Sequence, residues 1–385
     1  MVEFAFFAPQ KTRFGPGVIK EVGEQVVLLG GTKVLVVSDP GLREAGIVDR
    51  VLDIIREQGV EARVFDSVVA NPMDDDCAKG AAFAKEMGAD VVVGLGGGSS
   101  MDTAKTIAVL LTHGGEPKDY FGADTLSKPI APLICAPTTS GTGSEVTPFA
   151  VITDSKTRVK MNILDSRVVP LASFVDPELT VSMPPGLTAS TGMDALTHAI
   201  EAYTCNLANP LTDALALKAI AIIAASLRKA VQNGADLEAR TQMALGSLIA
   251  GYAFGNADVG GVHCMAEAIG GFYDTPHGVA NSVFLPIVTE FNVPSDVQKH
   301  ADIAVAMGVD TSGLSPDEAA AAAVQAIRDL ARDLEIPRFR DLKGVKESDF
   351  ETLAKLAAAN VSAESNPRPA GEKEYLELFR KAWAE

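Results

Sequence analysis

The sequence predicts an α/β domain built on a parallel sheet, followed by an all-α domain. Two observations indicate this fold class. Short β-branched runs alternate with helical patterns in the first half of the chain, which is typical of strands connected by helical crossovers. Beyond about residue 185 such runs stop, and long patterns rich in Ala, Leu and Ile follow with helical spacing. Because Met183-Pro-Pro-Gly186 marks the change, we expect one domain over residues 1–184 and a second over residues 185–385.

Local patterns predict individual elements of both domains. Strands are expected at residues 33–37, 62–65, 90–93 and 132–135. Helical patterns cover residues 50–58 and 73–87, and this alternation favours parallel pairing of the strands. In the second domain we expect helices at residues 213–231, 237–253, 316–334 and 351–359.

Composition and charge exclude several function classes. The chain of 385 residues has 33 Lys and Arg against 50 Asp and Glu, a formal charge of −17, and no concentrated basic patch, so nucleic-acid binding is not expected. The longest apolar stretch, residues 214–227, contains Lys218 and is shorter than the roughly 20 residues of a membrane span. We therefore expect a soluble protein without a membrane partner.

The cysteines and the first residues bear on the compartment. The four cysteines lie far apart, without a C-x-x-C pair, at Cys77, Cys135, Cys205 and Cys264. This spacing fits a reducing environment. The N-terminal residues show no basic leader followed by an apolar region and a small-residue cleavage site. We expect a cytoplasmic protein.

A glycine-rich segment connects the predicted strand at 90–93 to a helical pattern at 103–112. Its sequence is Gly94-Leu-Gly-Gly-Gly-Ser-Ser-Met-Asp-Thr-Ala-Lys105. Glycines let a backbone approach a pyrophosphate closely, and the N–H groups at a helix start attract its charge. The segment is no Walker A loop, and Ser99 replaces the last glycine of G-x-G-x-x-G. A tight turn with a Ser99–Asp102 capping box is the alternative explanation.

A second polar loop, residues 137–147, follows the predicted strand at 132–135. In a parallel sheet both loops would open at the carboxyl ends of their strands, where ligands bind, so together they predict a nucleotide site.

Asp39 ends the first predicted strand. A carboxylate there would accept hydrogen bonds from ribose hydroxyls and repel a 2′-phosphate, which favours NAD over NADP. Asp39 before Pro40 fits a helix N-cap equally well, and the two roles are compatible.

Three of the five histidines have sequence contexts that suit metal ligands. Asp194 and His198 are four residues apart on a predicted helix, which places a carboxylate and an imidazole on one face. His263 lies in a later helical run, and His277 lies in a turn between a proline and a glycine. Each histidine alone would also suit a hydrogen-bonded structural role. Together the four side chains suit Fe²⁺, Zn²⁺, Co²⁺ or Ni²⁺ rather than Mg²⁺ or Ca²⁺.

These motifs together resemble those of the iron-containing (group III) alcohol dehydrogenase family. They are residues 94–105, 138–147 and 192–198, and His263 with Pro276-His277-Gly-Val-Ala-Asn281. The similarity runs nearly end to end, from Arg13-Phe-Gly-Pro-Gly17 through Asp176-Pro-Glu-Leu179 to Asn366-Pro-Arg368. It implies a Rossmann-like dinucleotide-binding domain, a helical metal-binding domain, a dehydroquinate synthase-like two-domain architecture, and an active site in the cleft between the domains.

The resemblance also implies roles for individual residues. It carries metal ligation to Asp194, His198, His263 and His277. It carries dinucleotide contacts to Asp39, Asn71, Gly97, Gly98, Ser99, Thr138, Thr139, Thr147, Phe149, Lys160 and Leu179. Among these, Asn71, Phe149, Lys160 and Leu179 rest on the resemblance alone.

Glu267 departs from the family pattern, because many members carry histidine four residues after the third ligand. The i,i+4 spacing from His263 places Glu267 on the same helix face, and its neighbours are largely apolar. We expect it one shell out from the metal, in proton transfer or in shaping the substrate pocket. A solvated helix glutamate is the alternative.

The resemblance implies an NAD(H)-dependent oxidoreductase that interconverts a primary alcohol or short diol and its aldehyde by hydride transfer. Fe²⁺, or alternatively Zn²⁺, would polarise the substrate oxygen, and His277 and Glu267 are the expected catalytic residues. We expect a homodimer or higher homo-oligomer. The alternatives are a zinc-type polyol dehydrogenase acting on a substrate such as glycerol, a dehydroquinate-synthase-like lyase that uses NAD transiently, and a non-catalytic NAD-binding module.

Overall fold

The structure, a computed structural model, describes residues 3–156 and 160–385. The chain separates into two compact units. The α/β unit runs from Phe6 to Ser182, and the helical unit comprises Met183–Glu385 together with the start of the chain up to Ala5. The division falls at the first residue of the Met183-Pro-Pro-Gly186 motif.

Nearly all strands of the α/β unit's large sheet lie beside partners that are distant in sequence. The described strands are β1 (Lys11–Phe14), β2 (Lys33–Val37), β3 (Glu61–Phe65), β4 (Val91–Gly96), β5 (Gly122–Ala123), β6 (Leu133–Pro137), β7 (Phe149–Thr153), β8 (Lys160–Leu164) and β9 (Ala172–Val175). The large sheet has the order β1-β9-β6-β4-β2-β3, and its pairs are parallel. A small second sheet has the order β5-β8-β7, with β7 and β8 antiparallel. The four predicted strands correspond to β2, β3, β4 and β6, so the predicted parallel sheet is confirmed.

Helices cover both faces of the large sheet. They are α1 (Val22–Leu28), α2 (Pro40–Glu44), α3 (Ile47–Arg56), α4 (Asp74–Met87) and α5 (Gly98–His113). In β2, Val34 and Val36 belong to one apolar core, whereas Leu35 and Val37 belong to another. Because successive strand residues point to opposite faces, a continuous apolar run fills both cores.

Helix α5 does not begin with the Ser99–Asp102 capping box that was the alternative explanation of the glycine-rich segment. The helix begins at Gly98, five residues before the predicted 103, and Gly97 is its N-cap without a side-chain hydrogen bond. Ser99 therefore lies inside the first turn. The Asp102 side chain instead accepts hydrogen bonds from Ser144 Oγ at 2.6 Å and the Val151 N–H at 3.1 Å. The alternative explanation, a Ser99–Asp102 capping box, is wrong, because the N-cap is Gly97 and Ser99 lies within the helix.

In the described part of the second unit the regular secondary structure is helical, with α-helices and short 3-10 turns, and the last described strand of the chain ends at Val175. They are α6 (Pro185–Thr204), α7 (Pro210–Gln232), α8 (Leu237–Phe254), α9 (Gly261–Tyr273), α10 (His277–Asn292), α11 (Val297–Ala306), α12 (Pro316–Asp333), α13 (Phe350–Ala358) and α14 (Glu372–Ala384). The four predicted helices correspond to α7, α8, α12 and α13. Capping boxes begin α7 at Asn209 and α12 at Ser315, which explains where these helices start.

Helix α7 is long and apolar enough, by length and composition, to cross a membrane. Core helices of soluble proteins pass the same test. Here α7 packs against α6 and α8 and buries Ala216, Ile220, Ile223 and Leu227. We therefore interpret it as a core helix of the second unit.

Helix α6 is the central element of this unit, because its residues from Thr188 to Thr204 are buried. Two glycines allow neighbouring helices to approach it closely. A Cβ at Gly192 would lie 2.2 Å from Leu227 Cδ1, and a Cβ at Gly278 would lie 2.7 Å from the Ser190 carbonyl oxygen. Helices α7 and α10 are thus held against α6 at distances that larger side chains would prevent.

Candidate metal centre and dinucleotide site

The structure brings the four predicted metal ligands together. Asp194 and His198 lie one turn apart on α6, His263 lies in the first turn of α9, and His277 is the first residue of α10. One ligand atom from each side chain lies within 4.8 Å of all the others. Residues from three helices therefore converge on one small volume.

Aromatic packing holds the imidazole rings in place. His198 stacks on Phe254 with ring centroids 4.1 Å apart, and its ring centroid lies 4.8 Å from that of His263. Asp194, His198 and His263 are at most 4% exposed, whereas the His277 side chain is 29% exposed. His277 therefore lies on the accessible side of the cluster.

The neighbouring side chains of the cluster favour the ionised form of Asp194. Burial alone would raise the pKa of Asp194, but three imidazoles and the Asn281 amide outweigh burial and hold that pKa below its ordinary value. His277 Nε2 lies 3.7 Å from Asp194 Oδ1. A carboxylate that stays ionised in a buried site is suited to balance a cation.

Asn281 is a member of the site to which the sequence analysis gave no role. Its Nδ2 lies 2.7 Å from Asp194 Oδ1 and 3.1 Å from both His263 Nε2 and His277 Nε2. Asn281 is fully buried on α10, one turn after His277. Its i,i+4 spacing from His277 is the sequence signal that could have identified it.

Glu201 is a second residue without a predicted role. Its carboxylate lies 2.5 Å from His263 Nδ1, and it is 4% exposed. Burial alone would lower the pKa of His263, but the charge and hydrogen bond of Glu201, together with the charges of Asp194 and Glu267, outweigh burial and raise it. The spacing Asp194, His198, Glu201 follows one face of α6 and could have indicated a third site residue.

Glu267 lies on α9, one turn after His263, and is partly buried. Its Oε2 accepts a hydrogen bond of 2.6 Å from Asn360 Nδ2. Its negative charge acts on His263 and favours the protonated ring. Glu267 is therefore a hydrogen-bonded residue close to the cluster rather than a fully solvated helix glutamate.

The donor set fits a divalent transition metal. One carboxylate and three imidazoles are ordinary ligands of Fe²⁺ and Zn²⁺, whereas Mg²⁺ and Ca²⁺ prefer oxygen ligands. The ligand atoms are buried and already lie close together. The residues present therefore suit such a cation without rearrangement of the helices.

In the α/β unit, most of the predicted nucleotide-binding residues lie at one edge of the large sheet. Asp39 follows β2, Gly97 to Ser99 follow β4, and Thr138 and Thr139 follow β6. These three strands are neighbours and parallel, so their carboxyl ends meet. The Thr138 N–H donates to the Gly96 carbonyl oxygen at 3.0 Å, which joins the two loops.

Packing accounts for two of the three consecutive glycines. Gly96 has φ +149°, a conformation that other residues rarely adopt, and a Cβ at Gly98 would lie 2.9 Å from Thr142 Cγ2. At Gly97 the nearest atom to an added Cβ is Thr139 Cγ2 at 3.4 Å, an ordinary contact. The fold of the described residues does not require glycine at position 97, which is consistent with a ligand that approaches the backbone there.

A buried lysine supports the second loop. Lys105 on α5 is fully buried, and its Nζ donates to the carbonyl oxygens of Thr147 at 3.0 Å and Phe149 at 2.5 Å. Asp102, one turn earlier, binds Ser144 and Val151. The helix that begins at Gly98 thus fixes the segment that contains two of the predicted dinucleotide contacts.

The other predicted dinucleotide contacts lie in different elements of the α/β unit. Asp39 caps α2, since its Oδ1 accepts a hydrogen bond from the Leu42 N–H at 3.1 Å. Asn71 has φ +53°, and Lys160 is the first residue of β8. Leu179 is 1% exposed and belongs to an apolar core, so only its main chain could contact a ligand.

Comparison with known proteins places these residues in a family context. Residues 9–177 match the family model for iron-containing alcohol dehydrogenase, and residues 188–383 match the model for the C-terminal part of the Fe-containing alcohol dehydrogenase family. Together the two models span nearly the whole chain.

Individual relatives match over their full length. The chain is 48% identical over 383 residues to a 1,3-propanediol dehydrogenase of Citrobacter freundii, covering 99% of each chain. It is 42% identical over 377 residues to an NAD-dependent methanol dehydrogenase of Bacillus methanolicus, covering 98% of this chain and 99% of the relative. A solved 1,3-propanediol oxidoreductase superposes with a TM-score of 0.97 at 47% identity, covering 99% of this chain and 100% of the other.

Proposed function

The chain belongs to the iron-containing alcohol dehydrogenase family, and from this premise we propose that it interconverts a primary alcohol or short diol and its aldehyde with NAD⁺ and NADH. The convergence of Asp194, His198, His263 and His277 is the observation that carries the proposal. The similarity to an NAD-dependent methanol dehydrogenase supports the choice of cofactor, and the similarity to a propanediol dehydrogenase supports a short alcohol as substrate.

We assign the cation to these four side chains, with Fe²⁺ as the proposed metal and Zn²⁺ as the alternative. When bound, a divalent cation supplies Lewis acidity toward a substrate oxygen, and NAD⁺ accepts the hydride. Asp194 would supply one negative charge toward the cation and the neutral imidazoles would add none, so the ligands alone would offset half of the divalent charge. His277 is the most exposed of the four, so we propose that substrate reaches the site beside it.

The dinucleotide is assigned to the edge where β2, β4 and β6 end. The first N–H groups of a helix have no partner within it, so Gly98 and Ser99 at the start of α5 suit a pyrophosphate. We propose further contacts from Asp39, Gly97, Thr138 and Thr139 at this edge. The family pattern adds Asn71, Thr147, Phe149, Lys160 and Leu179.

Glu267 is proposed to hold or move the substrate proton, or to shape the pocket. Its charge acts on His263, and Asn360 fixes one carboxylate oxygen. The other oxygen does not accept this hydrogen bond, and we propose that it faces a water or a substrate hydroxyl.

We also propose that the chain divides into a dinucleotide-binding domain over residues 1–184 and a metal-binding domain over residues 185–385.

A spectrophotometric assay tests the proposed reaction. The protein would be prepared anaerobically, loaded with Fe²⁺ or Zn²⁺, and mixed with NAD⁺ or NADP⁺ and a panel of short alcohols, diols and glycerol, with aldehydes and NADH for the reverse direction. We expect steady accumulation of NADH with at least one primary alcohol and loss of turnover in the His277→Ala variant. Binding of NAD⁺ without net NADH formation would contradict a dehydrogenase and favour a lyase or a binding module.

The assembly and compartment are also proposals. We infer that the protein is cytoplasmic, which four buried free thiols support because they suit a reducing compartment. We also infer that it forms a homodimer or a larger homo-oligomer. Light scattering after size-exclusion chromatography would determine the number of subunits, and a monomer at assay concentration would contradict this inference.

A further inference from the structure

A non-ligating carboxylate lies directly behind one of the candidate ligands. Helix α6 carries Asp194, His198 and Glu201 at spacings of four and three residues, so all three side chains share one face. The first two contribute ligand atoms to the cluster, whereas Glu201 does not. Glu201 instead contacts the first turn of α9.

Both oxygens of Glu201 are engaged by neighbouring N–H groups. Oε2 lies 2.5 Å from His263 Nδ1, and Oε1 accepts the Val262 main-chain N–H at 2.7 Å. The backbone approaches closely here, since a Cβ at Gly260 would lie 3.2 Å from Oε1. A carboxylate that is 4% exposed needs such partners, because an unpaired buried charge is costly.

These contacts determine which imidazole nitrogen faces the other ligands. In the neutral ring, which is the form that ligates a metal, an Nδ1–H that donates to Glu201 leaves the lone pair on Nε2. His263 Nε2 lies 3.1 Å from Asn281 Nδ2, which in turn contacts Asp194. The lone pair is therefore on the nitrogen that belongs to the ligand cluster.

We propose that Glu201 is a positioning residue for the cation site: it holds His263 in the tautomer and orientation that ligate through Nε2, and it adds a second negative charge behind the ligands. This inference rests on the metal site of the proposed function. Histidine ligands commonly donate their other N–H to a carboxylate, and removal of that acceptor weakens metal binding by roughly 10- to 100-fold.

Metal titration of the full-length protein tests the inference without reference to turnover. Metal-free wild type, Glu201→Gln and Asp165→Asn would be titrated with Co²⁺ against a chelating indicator, with visible absorption spectra, NADH binding and Tm recorded for each. Asp165 is the control, because it is a carboxylate that is 1% exposed in the α/β unit and pairs with Arg167 rather than with a candidate ligand. In each variant the amide keeps the size of the side chain and removes its charge.

We expect Glu201→Gln to weaken Co²⁺ binding by roughly 10- to 100-fold and to change the Co²⁺ absorption bands. NADH affinity should stay within about twofold of wild type, and Asp165→Asn should leave Co²⁺ affinity within about twofold. Unchanged Co²⁺ affinity and spectrum in Glu201→Gln, or equal weakening in Asp165→Asn, would overturn the inference.

If Glu201→Gln does not fold, Glu201→Asp replaces it, because aspartate keeps the charge but reaches less far. Weakened Co²⁺ binding is again expected, and wild-type affinity would overturn the inference. A wild-type protein that binds no Co²⁺ would overturn both this inference and the proposed metal site. A wild type that binds Co²⁺ but oxidises no alcohol would contradict the proposed reaction alone.

Discussion

The side-chain amide of Asn281 donates a hydrogen bond of 2.7 Å to Asp194. The same nitrogen lies 3.1 Å from His263 Nε2 and from His277 Nε2, so it faces three of the four candidate ligand atoms. Because the amide nitrogen carries two hydrogens, it can donate to Asp194 and to one of the two imidazole nitrogens at a time.

We predict that Asn281→Ala destabilises the metal-free protein more than the metal-loaded one. A cation gives the ligand atoms another partner, whereas without it the loss of a hydrogen bond to a charged group costs about 1.5–3 kcal/mol. Chemical denaturation with and without Zn²⁺ measures both values. Equal losses in the two states would show that the amide matters only for packing.

His263→Ala and His277→Ala are expected to abolish metal binding and turnover while leaving NADH affinity largely unchanged. The reason is that the candidate ligands belong to the helical unit, whereas the loops after β4 and β6 belong to the α/β unit. Elemental analysis and NADH fluorescence titration check the two halves of this prediction. Parallel loss of NADH binding would contradict the proposed assignment of cofactors to units.

Two substitutions separate the roles of Asp39. Asp39→Asn keeps an N-cap acceptor for Leu42 and removes the charge, whereas Asp39→Ala removes both and costs about 1 kcal/mol of stability. If the carboxylate repels a 2′-phosphate, both variants should raise the ratio of NADP⁺ to NAD⁺ efficiency, by roughly tenfold. Steady-state kcat/KM with each cofactor measures this ratio. An unchanged ratio in Asp39→Asn would leave capping as the residue's role.

Glu267→Gln is expected to lower kcat and change its pH dependence while the metal stays bound. Glutamine retains an oxygen that can accept from Asn360, so the fold around it should persist and only the charge is lost. Glu267→His should still support alcohol oxidation, because histidine is common at this position in the family. Identical kcat, KM and pH profiles for wild type and Glu267→Gln would exclude the residue from the chemistry.

The stability of the α/β unit should respond to pH through Glu145. Burial raises the pKa of this carboxyl from 4.5 to about 7. The unfolded chain therefore loses the proton first, and the contribution of Glu145 to stability, complete below pH 4.5, declines as pH rises to about 7. Glu145→Gln stays neutral, so its Tm relative to wild type should rise between pH 5 and pH 8. A constant difference in Tm across this range would contradict the raised pKa.

Much of the fold could be predicted because its strongest signals are local. The runs at β2 and β6 are continuous and apolar, since both faces of the sheet are covered, and long helices such as α7 and α12 begin at recognisable caps. Strands β1 and β9 were not predicted. Both have only four residues, and β1 carries Lys11 and Arg13, so their pairing depends on the rest of the sheet.

The candidate site could be predicted only in part for a related reason. The ligand pair Asp194 and His198 is local in sequence, but Glu201 and Asn281 acquire their roles through contacts with α9 and with α6. Lys105 likewise acts on Thr147 and Phe149, more than 40 residues away. Spacing along one helix indicates a shared face, but the partner on another helix is set by tertiary packing.

Gly278, the residue after His277, determines how closely α10 can approach α6 at the cation site. Any Cβ at Gly278 would collide with the Ser190 carbonyl, one turn before Asp194, and would push the beginning of α10 away from α6. The separation between ligands on the two helices is thus a property of main-chain contact, fixed before any ion arrives. Since metal selectivity depends on geometry, a change in preferred metal could arise from altered helix spacing with every ligand retained.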